Sequence, residues 1–279
     1  VEIERSDIVK VRRSNRLVEM SIYFLQNPNT TTPLNYFTER FKAAKSSISE
    51  DLTIIKDSFE ANNMGSIITY AGARGGVQYE PYFEESQLKN EILALKEEID
   101  GSERLLPGGY IYTSDILGDP AWSKRIGKII ASKYALGDID AILTIATKGV
   151  PIAQATAYNL NVPFYIVRKS TKVTEGSTVS INYQPWSSSD QVERMALTKD
   201  TLKPNSKVLI IDDFLRGGGT IMGLNRMVEE FNCEVADSVV LLEHTGDETN
   251  HQTKSLLKVI DVNKEADTIK VDAGNFLTS

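Results

Sequence analysis

Residues 208–220 read V-L-I-I-D-D-F-L-R-G-G-G-T, a combination able to bind a phosphorylated sugar. The four apolar residues predict a fully buried strand. Asp212 and Asp213 are expected at its exposed carboxyl end. Gly217, Gly218 and Gly219 let the backbone wrap closely with its amides pointing inward, and Thr220 is expected to cap a helix that starts there. That is an anion cradle at a helix N-terminus. No lysine follows the glycines, as it does in the nucleoside-triphosphate loop, and the dinucleotide spacing G-x-G-x-x-G is missing. Carboxylates beside a phosphate cradle repel polyphosphate unless they take hydroxyls or a metal ion instead. A ribose 5-phosphate satisfies both halves, with its hydroxyls on the carboxylates and its phosphate on the amides. The competing interpretation is a structural glycine turn after a core strand.

Such a cradle needs alternating strands and helices around it, and the chain from residue 105 onward supplies them. Asp119-Pro120 opens a helix carrying Ile126, Ile129 and Ile130, and 139–145 read as a buried strand leading into Ala146-Thr147-Lys148-Gly149. A helix over 152–160 precedes a strand over 163–167 that ends in Arg168-Lys169. After a polar stretch and a helix near 192–197 comes the strand 208–211, then a helix over 221–231 and a strand over 235–242. This alternation predicts a mostly parallel sheet with helices on both faces. Ligands bind at the carboxyl ends of such strands, where three loops lie: 147–149, 168–169 and 212–220. Residues 256–275 mix short apolar runs with charge and are expected to add edge strands; no function is assigned to them.

The first 80 residues follow another plan. Leu17, Met20, Ser21 and Phe24 share one face of a helix over 14–25, stopped by Asn27-Pro28-Asn29. Thr32 and Pro33 have the types of an N-cap and a first helical residue, ahead of the stripe Leu34, Phe37 and Phe41. Ser47-Ile48-Ser49-Glu50 has capping-box spacing and opens a third helix that buries Ile48, Leu52, Ile55 and Phe59. The runs 66–70 and 77–79 flank a glycine-rich 71–76 and read as a hairpin. Three helices followed by a hairpin is the winged helix-turn-helix order, in which the third helix enters the major groove. Candidate DNA contacts on that helix are Lys45, Ser46, Ser47, Ser49, Thr53 and Lys56. Arg74 at the hairpin tip, with Lys10, Arg12, Arg13 and Arg16 ahead of the first helix, would meet phosphates. Glu50, Asp51, Asp57 and Glu60 weaken the electrostatic case unless they face away from that stripe, and winged helices also serve as protein-interaction modules. A helix over 84–99, with Leu88, Ile92, Leu95 and Ile99 on one side, reads as a connector or dimer helix. The expected domains are 1–80 and 81–279.

Composition narrows the setting. The 279 residues are 41% apolar and 25% charged, as in ordinary globular chains. No apolar run approaches the roughly 20 residues of a membrane span. One cysteine, Cys233, allows no disulfide within the chain and points to a cytoplasmic compartment; its neighbours suggest packing. His244 and His251 make no metal-ligand spacing with it, so no metal site is expected among them. The net charge of −7 argues against indiscriminate nucleic-acid binding, yet residues 1–80 are balanced and the whole excess falls on 81–279. Arg5, Lys10, Arg12, Arg13 and Arg16 stand against Asp7 alone. Such a run is a phosphate site or a solvated arm, and the winged-helix order behind it favours the first.

The stretch 208–220 resembles the phosphoribosyl pyrophosphate signature of type I phosphoribosyltransferases: four apolar residues, two acids, an apolar residue, variable positions, then Gly-Gly-Thr. The resemblance implies that Asp212 and Asp213 hold the ribose hydroxyls and that Arg216, Gly217, Gly218, Gly219 and Thr220 hold the 5-phosphate, with Phe214 and Leu215 between. Thr147-Lys148-Gly149 is similar to the pyrophosphate loop, and 169–190 to a mobile arm that closes over the ligand. Arg168 and Lys169 would offer charge to pyrophosphate. A winged helix ahead of such a domain resembles the bacterial purine operon repressor family of Gram-positive type. That likeness covers nearly the whole chain, including S-S-I-S-E-D-L-T-I-I-K, L-P-G-G-Y, A-T-K-G-V-P, V-R-K and K-V-T-E-G-S-T-V-S-I-N-Y. It implies a homodimer that binds double-stranded operator DNA of purine genes, with no membrane association. Phosphoribosyl pyrophosphate, with Mg²⁺, would fill the pocket and release the DNA; regulators of this family also activate in some settings. The alternative is a purine phosphoribosyltransferase of xanthine or adenine type. Gly217 stands where such enzymes often have a small hydroxyl residue or Ala, and a salvage enzyme has no need of the N-terminal domain. A guanosine alarmone, which carries ribose and pyrophosphate, is a further candidate ligand, with Tyr110 and Phe214 as stacking partners for its base.

Overall fold

The computed structural model describes residues 11–72, 75–135, 137–170, 176–184, 192–244 and 252–278. Lys10, Arg74, His251 and half of the expected mobile arm (171–175 and 185–190) lie outside the described residues. The chain forms two compact units, Val1–Glu84 and Glu85–Ser279.

In the first unit, α1 (Arg13–Gln26), α2 (Leu34–Phe41) and α3 (Lys45–Ala61) enclose Met20, Phe24, Phe37, Ile48 and Ile55. These are the residues that helical spacing turns inward. β1 (Ser66–Tyr70) and β2 (Gly76–Glu80) form the antiparallel hairpin, with Ile67 opposite Tyr79. Both helix starts differ from the sequence expectation. Lys42 closes α2 in the left-handed conformation, φ 49°, which leaves only Ala43 and Ala44 before α3. Ser47 therefore falls inside the first turn of α3 and the capping box is not used; no side chain caps that helix. Thr32 is not a cap either. It exchanges two backbone hydrogen bonds with Val77, each 2.9 Å, and so adds a third short segment to the hairpin. Its backbone finds partners across the sheet rather than along a helix.

The second unit runs α4 (Glu85–Ile99), β3 (Leu105–Leu106), β4 (Tyr110–Ile111), α5 (Ser114–Gly118), α6 (Pro120–Ala131), β5 (Ala141–Ile145), α7 (Gly149–Leu160), β6 (Phe164–Val167), β7 (Thr178–Tyr183), β8 (Glu193–Thr198), β9 (Lys207–Leu215), α8 (Gly219–Glu230), β10 (Glu234–His244), β11 (Lys254–Asn263) and β12 (Thr268–Ala273). One sheet has the order β12-β11-β10-β9-β5-β6, parallel except for β12, which is an antiparallel edge strand. Asp119 caps α6 by accepting from the amides of Ala121 and Trp122. The stripe Leu88, Ile92, Leu95 and Ile99 of α4 is buried, and the helix packs on β11 and β12 within its own unit.

Helix α7 carries the chain from β5 to β6, and α8 carries it from β9 to β10, in opposite directions along the sheet. The strand order thus reverses between β5 and β9, the position where open α/β sheets bind ligands. The helix expected near 192–197 is instead the strand β8 (193–198), paired antiparallel with β7, Tyr183 opposite Glu193. Three successive buried residues, Met195, Ala196 and Leu197, fit a helical turn or a strand covered on both faces; the partner β7 decides.

Candidate functional site

A cavity of about 430 Å³ opens at the carboxyl ends of β5 and β9. It gathers Thr147 and Lys148 after β5, Lys169 after β6, and Asp212, Asp213, Phe214, Arg216 and Thr220 from β9 and the loop behind it, with Tyr110 of β4 across the mouth. Residues from four separate sequence segments therefore meet in one place. Gly149 stands behind the cavity: a Cβ there would lie 2.3 Å from Thr144 Oγ1 and 3.1 Å from Asp212 Oδ1, so glycine is required by close approach. The peptide between Ala146 and Thr147 is cis.

The glycine loop departs from the expected geometry. Strand β9 runs on to Leu215, and Asp212 lies opposite Val240 inside the sheet, buried rather than at an exposed end. Leu215 turns into the core and does not line the cavity. α8 starts at Gly219, with Gly217 and Gly218 in the left-handed conformation (φ 63° and 72°) that a side chain disfavours. Thr220 lies in the first turn and does not cap it, since the boundary residue is Gly218. Arg216 bends back onto the turn at Gly108 and Gly109, donating from Nη1 to their carbonyls at 2.8 and 3.1 Å. Arg168 is half-buried, with its backbone bridged to Ala196 of β8, and it does not line the cavity.

Charge is concentrated here. Burial first, and the neighbouring carboxylate second, push Asp212 well above the usual carboxylate value. Burial also raises Asp213, opposed in part by the Lys148 ammonium. Asp212 Oδ1 accepts the amide of Asp213 at 2.8 Å, which orients the pair. Lys169 is held by Glu193, Nζ to Oε2 2.6 Å, and the same oxygen accepts from the Tyr183 hydroxyl at 2.5 Å. Hydrogen bonds from Lys169 and then Tyr183 lower the Glu193 pKa.

Glu193 was not legible as a site neighbour, because only the β7–β8 pairing brings it, with Tyr183 of the expected arm, near Lys169. His244 was missed as well. It ends β10, edge-on to Phe214 at 6.5 Å between ring centroids, with Nδ1 buried and without a hydrogen-bond partner among the described residues. Cys233 packs at the rim of the core, as its neighbours suggested.

On the winged unit, Lys45, Ser46, Ser49 and Thr53 are exposed along one stripe of α3, with Ser47 and Lys56 half-buried beside them. The acids do not share a fate. Asp51 is wholly buried and accepts from Arg13 Nε at 2.9 Å and Arg16 Nε at 2.6 Å. Arg16 is thus an interior residue tying α1 to α3, not part of the exposed basic patch. Arg13 stays half-exposed beside Glu50, and Arg12 is exposed.

Among the described residues no helix is long and apolar enough to cross a membrane, and no three His, Cys, Asp or Glu side chains converge as metal ligands.

The bacterial purine repressor N-terminal family matches residues 12–81, and the phosphoribosyl transferase domain family matches residues 113–273. The chain is 46% identical over 271 residues to the purine biosynthesis transcriptional repressor PurR of Bacillus subtilis (strain 168), covering 96% of this chain and 95% of that one. It is 43% identical over 267 residues to the purine biosynthesis transcriptional activator PurR of Lactococcus lactis subsp. lactis (strain IL1403), covering 95% and 98%. The crystal structure of adenine phosphoribosyltransferase from Thermoanaerobacter pseudethanolicus shares the fold of the second unit, with TM-score 0.52 and 24% identity over 60% of this chain and 99% of that one. The chain belongs to the bacterial purine repressor family of Gram-positive type, in which a winged-helix DNA-binding domain precedes a phosphoribosyltransferase domain.

Proposed function

We propose that this protein is a DNA-binding regulator of purine biosynthesis genes whose second domain senses phosphoribosyl pyrophosphate, the bound effector weakening its grip on operator DNA. The observation that carries the effector half is the Asp212–Asp213 pair lining one cavity with Lys148, Lys169, Arg216 and Thr220, the last two flanking the left-handed Gly217 and Gly218. Two carboxylates suit the ribose hydroxyls, and the free amides at the start of α8 suit the 5-phosphate. Thr147, Lys148 and Lys169 suit the pyrophosphate, with Arg168 behind them. Tyr110, 50% exposed at the mouth, and Phe214 offer ring faces to a base. That arrangement also suits a guanosine alarmone as a competitor. Magnesium fits this donor set only when effector oxygens complete its shell, since two carboxylates fall short of octahedral coordination; when bound, it would neutralise pyrophosphate charge.

The DNA half rests on the exposed stripe Lys45, Ser46, Ser49 and Thr53 of α3, with Ser47 and Lys56 at its edge and Arg12 and Arg13 for phosphates. Lys10 and Arg74 remain candidates on sequence grounds. Turning Asp51 inward onto two arginines removes one of the charges that opposed DNA binding. A relative named as repressor and one named as activator leave the sign of regulation to the promoter.

Fluorescence anisotropy of a purine-operon upstream duplex, titrated with phosphoribosyl pyrophosphate and Mg²⁺, tests both halves. Dose-dependent release is expected. Tight binding without release would remove the proposed effector, and formation of a purine nucleotide from added base would favour an enzyme.

A further inference from the structure

Glu193 lies at the start of β8, outside the cavity wall, yet it controls a cation that lines the cavity. One carboxylate oxygen accepts from Lys169 Nζ at 2.6 Å and from the Tyr183 hydroxyl at 2.5 Å. The backbone beside Lys169 is fastened to the same strand: Arg168 and Ala196 exchange two hydrogen bonds of 3.0 and 2.8 Å. Tyr183 ends β7 and is buried; a Cβ added at Gly223 of α8 would stand 3.1 Å from the Tyr183 Cβ. The chain of contacts therefore runs from the cavity, through Lys169 and Glu193, to the helix behind the glycine loop.

We propose that Glu193 is a positioning residue that holds the Lys169 ammonium in reserve and so sets the effector concentration at which the pocket fills. The proposal rests on the assignment of the pocket to a phosphoribosyl pyrophosphate-like effector. An ammonium paired with a carboxylate is partly neutralised before any ligand arrives. A ribose 5-phosphate on the glycine loop and the two aspartates has no second anionic group to draw it over. A pyrophosphate beside Lys148 competes for it directly, exchanging one charge-assisted hydrogen bond for another and leaving Glu193 to Tyr183. Glu193 thereby lowers affinity for pyrophosphate-bearing effectors and not for the monophosphate. Asp212 also attracts Lys169, but that attraction is present with either ligand.

Isothermal titration of the full chain with phosphoribosyl pyrophosphate plus Mg²⁺ and with ribose 5-phosphate, for wild type, Glu193→Gln, Lys169→Gln and the double variant, tests this. Glutamine keeps an acceptor for Tyr183 but no charge for Lys169. Glu193→Gln should bind phosphoribosyl pyrophosphate about three- to tenfold more tightly and ribose 5-phosphate unchanged, and the gain should vanish in the Lys169→Gln background. If Glu193→Gln does not fold, Glu193→Ser carries the same expectation. Unchanged or weaker binding of the pyrophosphate ligand overturns the proposal alone. A gain that persists without Lys169 also overturns it, since it would then be a general charge effect. A wild type that binds neither ligand overturns the pocket assignment and the proposal with it.

Discussion

Asp212 concentrates the conflict between stability and binding in one side chain. Its burial and that of Asp213 hold both carboxyls above their unfolded value near 4. The folded chain therefore binds these protons more tightly than the unfolded chain. Their contribution to stability is present at acid pH and is lost as pH rises through the folded values, so holding the pair in place destabilises the fold increasingly as pH rises. Asp212→Asn keeps the acceptor for the Asp213 amide and removes the charge. It should stabilise the protein by about 1 kcal/mol at pH 7.5, a few degrees in Tm, with the gain shrinking toward pH 5. Effector affinity should fall at least about tenfold, a loss of about 1.4 kcal/mol of binding. Calorimetric scans at both pH values and titration with phosphoribosyl pyrophosphate check the pair of outcomes; a lower Tm would show that the buried charge is compensated.

Between elements, the decisive link in the winged unit is α1 to α3 through Arg16 and Asp51, both interior. Removing one partner of a buried ion pair leaves an uncompensated charge, and Arg13 can offset only part of it. Arg16→Ala should cost about 3 kcal/mol and lower the melting temperature of this unit by more than about 10 °C. Arg16→Met combined with Asp51→Leu should recover most of that loss. Arg12→Ala should change stability by less than about 0.5 kcal/mol while weakening DNA binding with a shallower salt dependence. Melting curves and anisotropy at two salt concentrations separate the roles. Equal melting of wild type and Arg16→Ala would show that Arg13 alone satisfies Asp51. Element by element, the legible parts were those with a local signal: three helix stripes, the hairpin glycines, Asp119 as a cap and the β9 apolar run. Residues 193–198 were not legible, because burial on both faces erases the period that separates helix from strand.

At the scale of the molecule, each unit owns a core: Met20, Phe24 and Phe37 anchor one, and Leu143, Ile210 and Leu224 belong to the other. Units with separate cores fold separately. A fragment of residues 85–279 should bind phosphoribosyl pyrophosphate with the affinity of the full chain, within about threefold, and should not bind operator DNA. Titration and anisotropy on the fragment check this, and loss of effector binding would show that the first unit completes the pocket.

The sequence alone determined the two-part plan, the alternation from β5 through α7, β6, β9 and α8 to β10, and the strand-end loops that converge on the cavity. These follow from periods of 3.6 and 2, from glycine runs and from the rule that parallel strands present their carboxyl ends together. Only the tertiary structure decided which charged side chains point where. Asp51 turns inward because arginines 38 and 35 positions earlier meet it. Asp212 is buried because β10 continues beside it. Lys169 is tethered because β8 brings Glu193 alongside. Charge burial and pairing depend on neighbours far apart in the chain, and no local pattern encodes them.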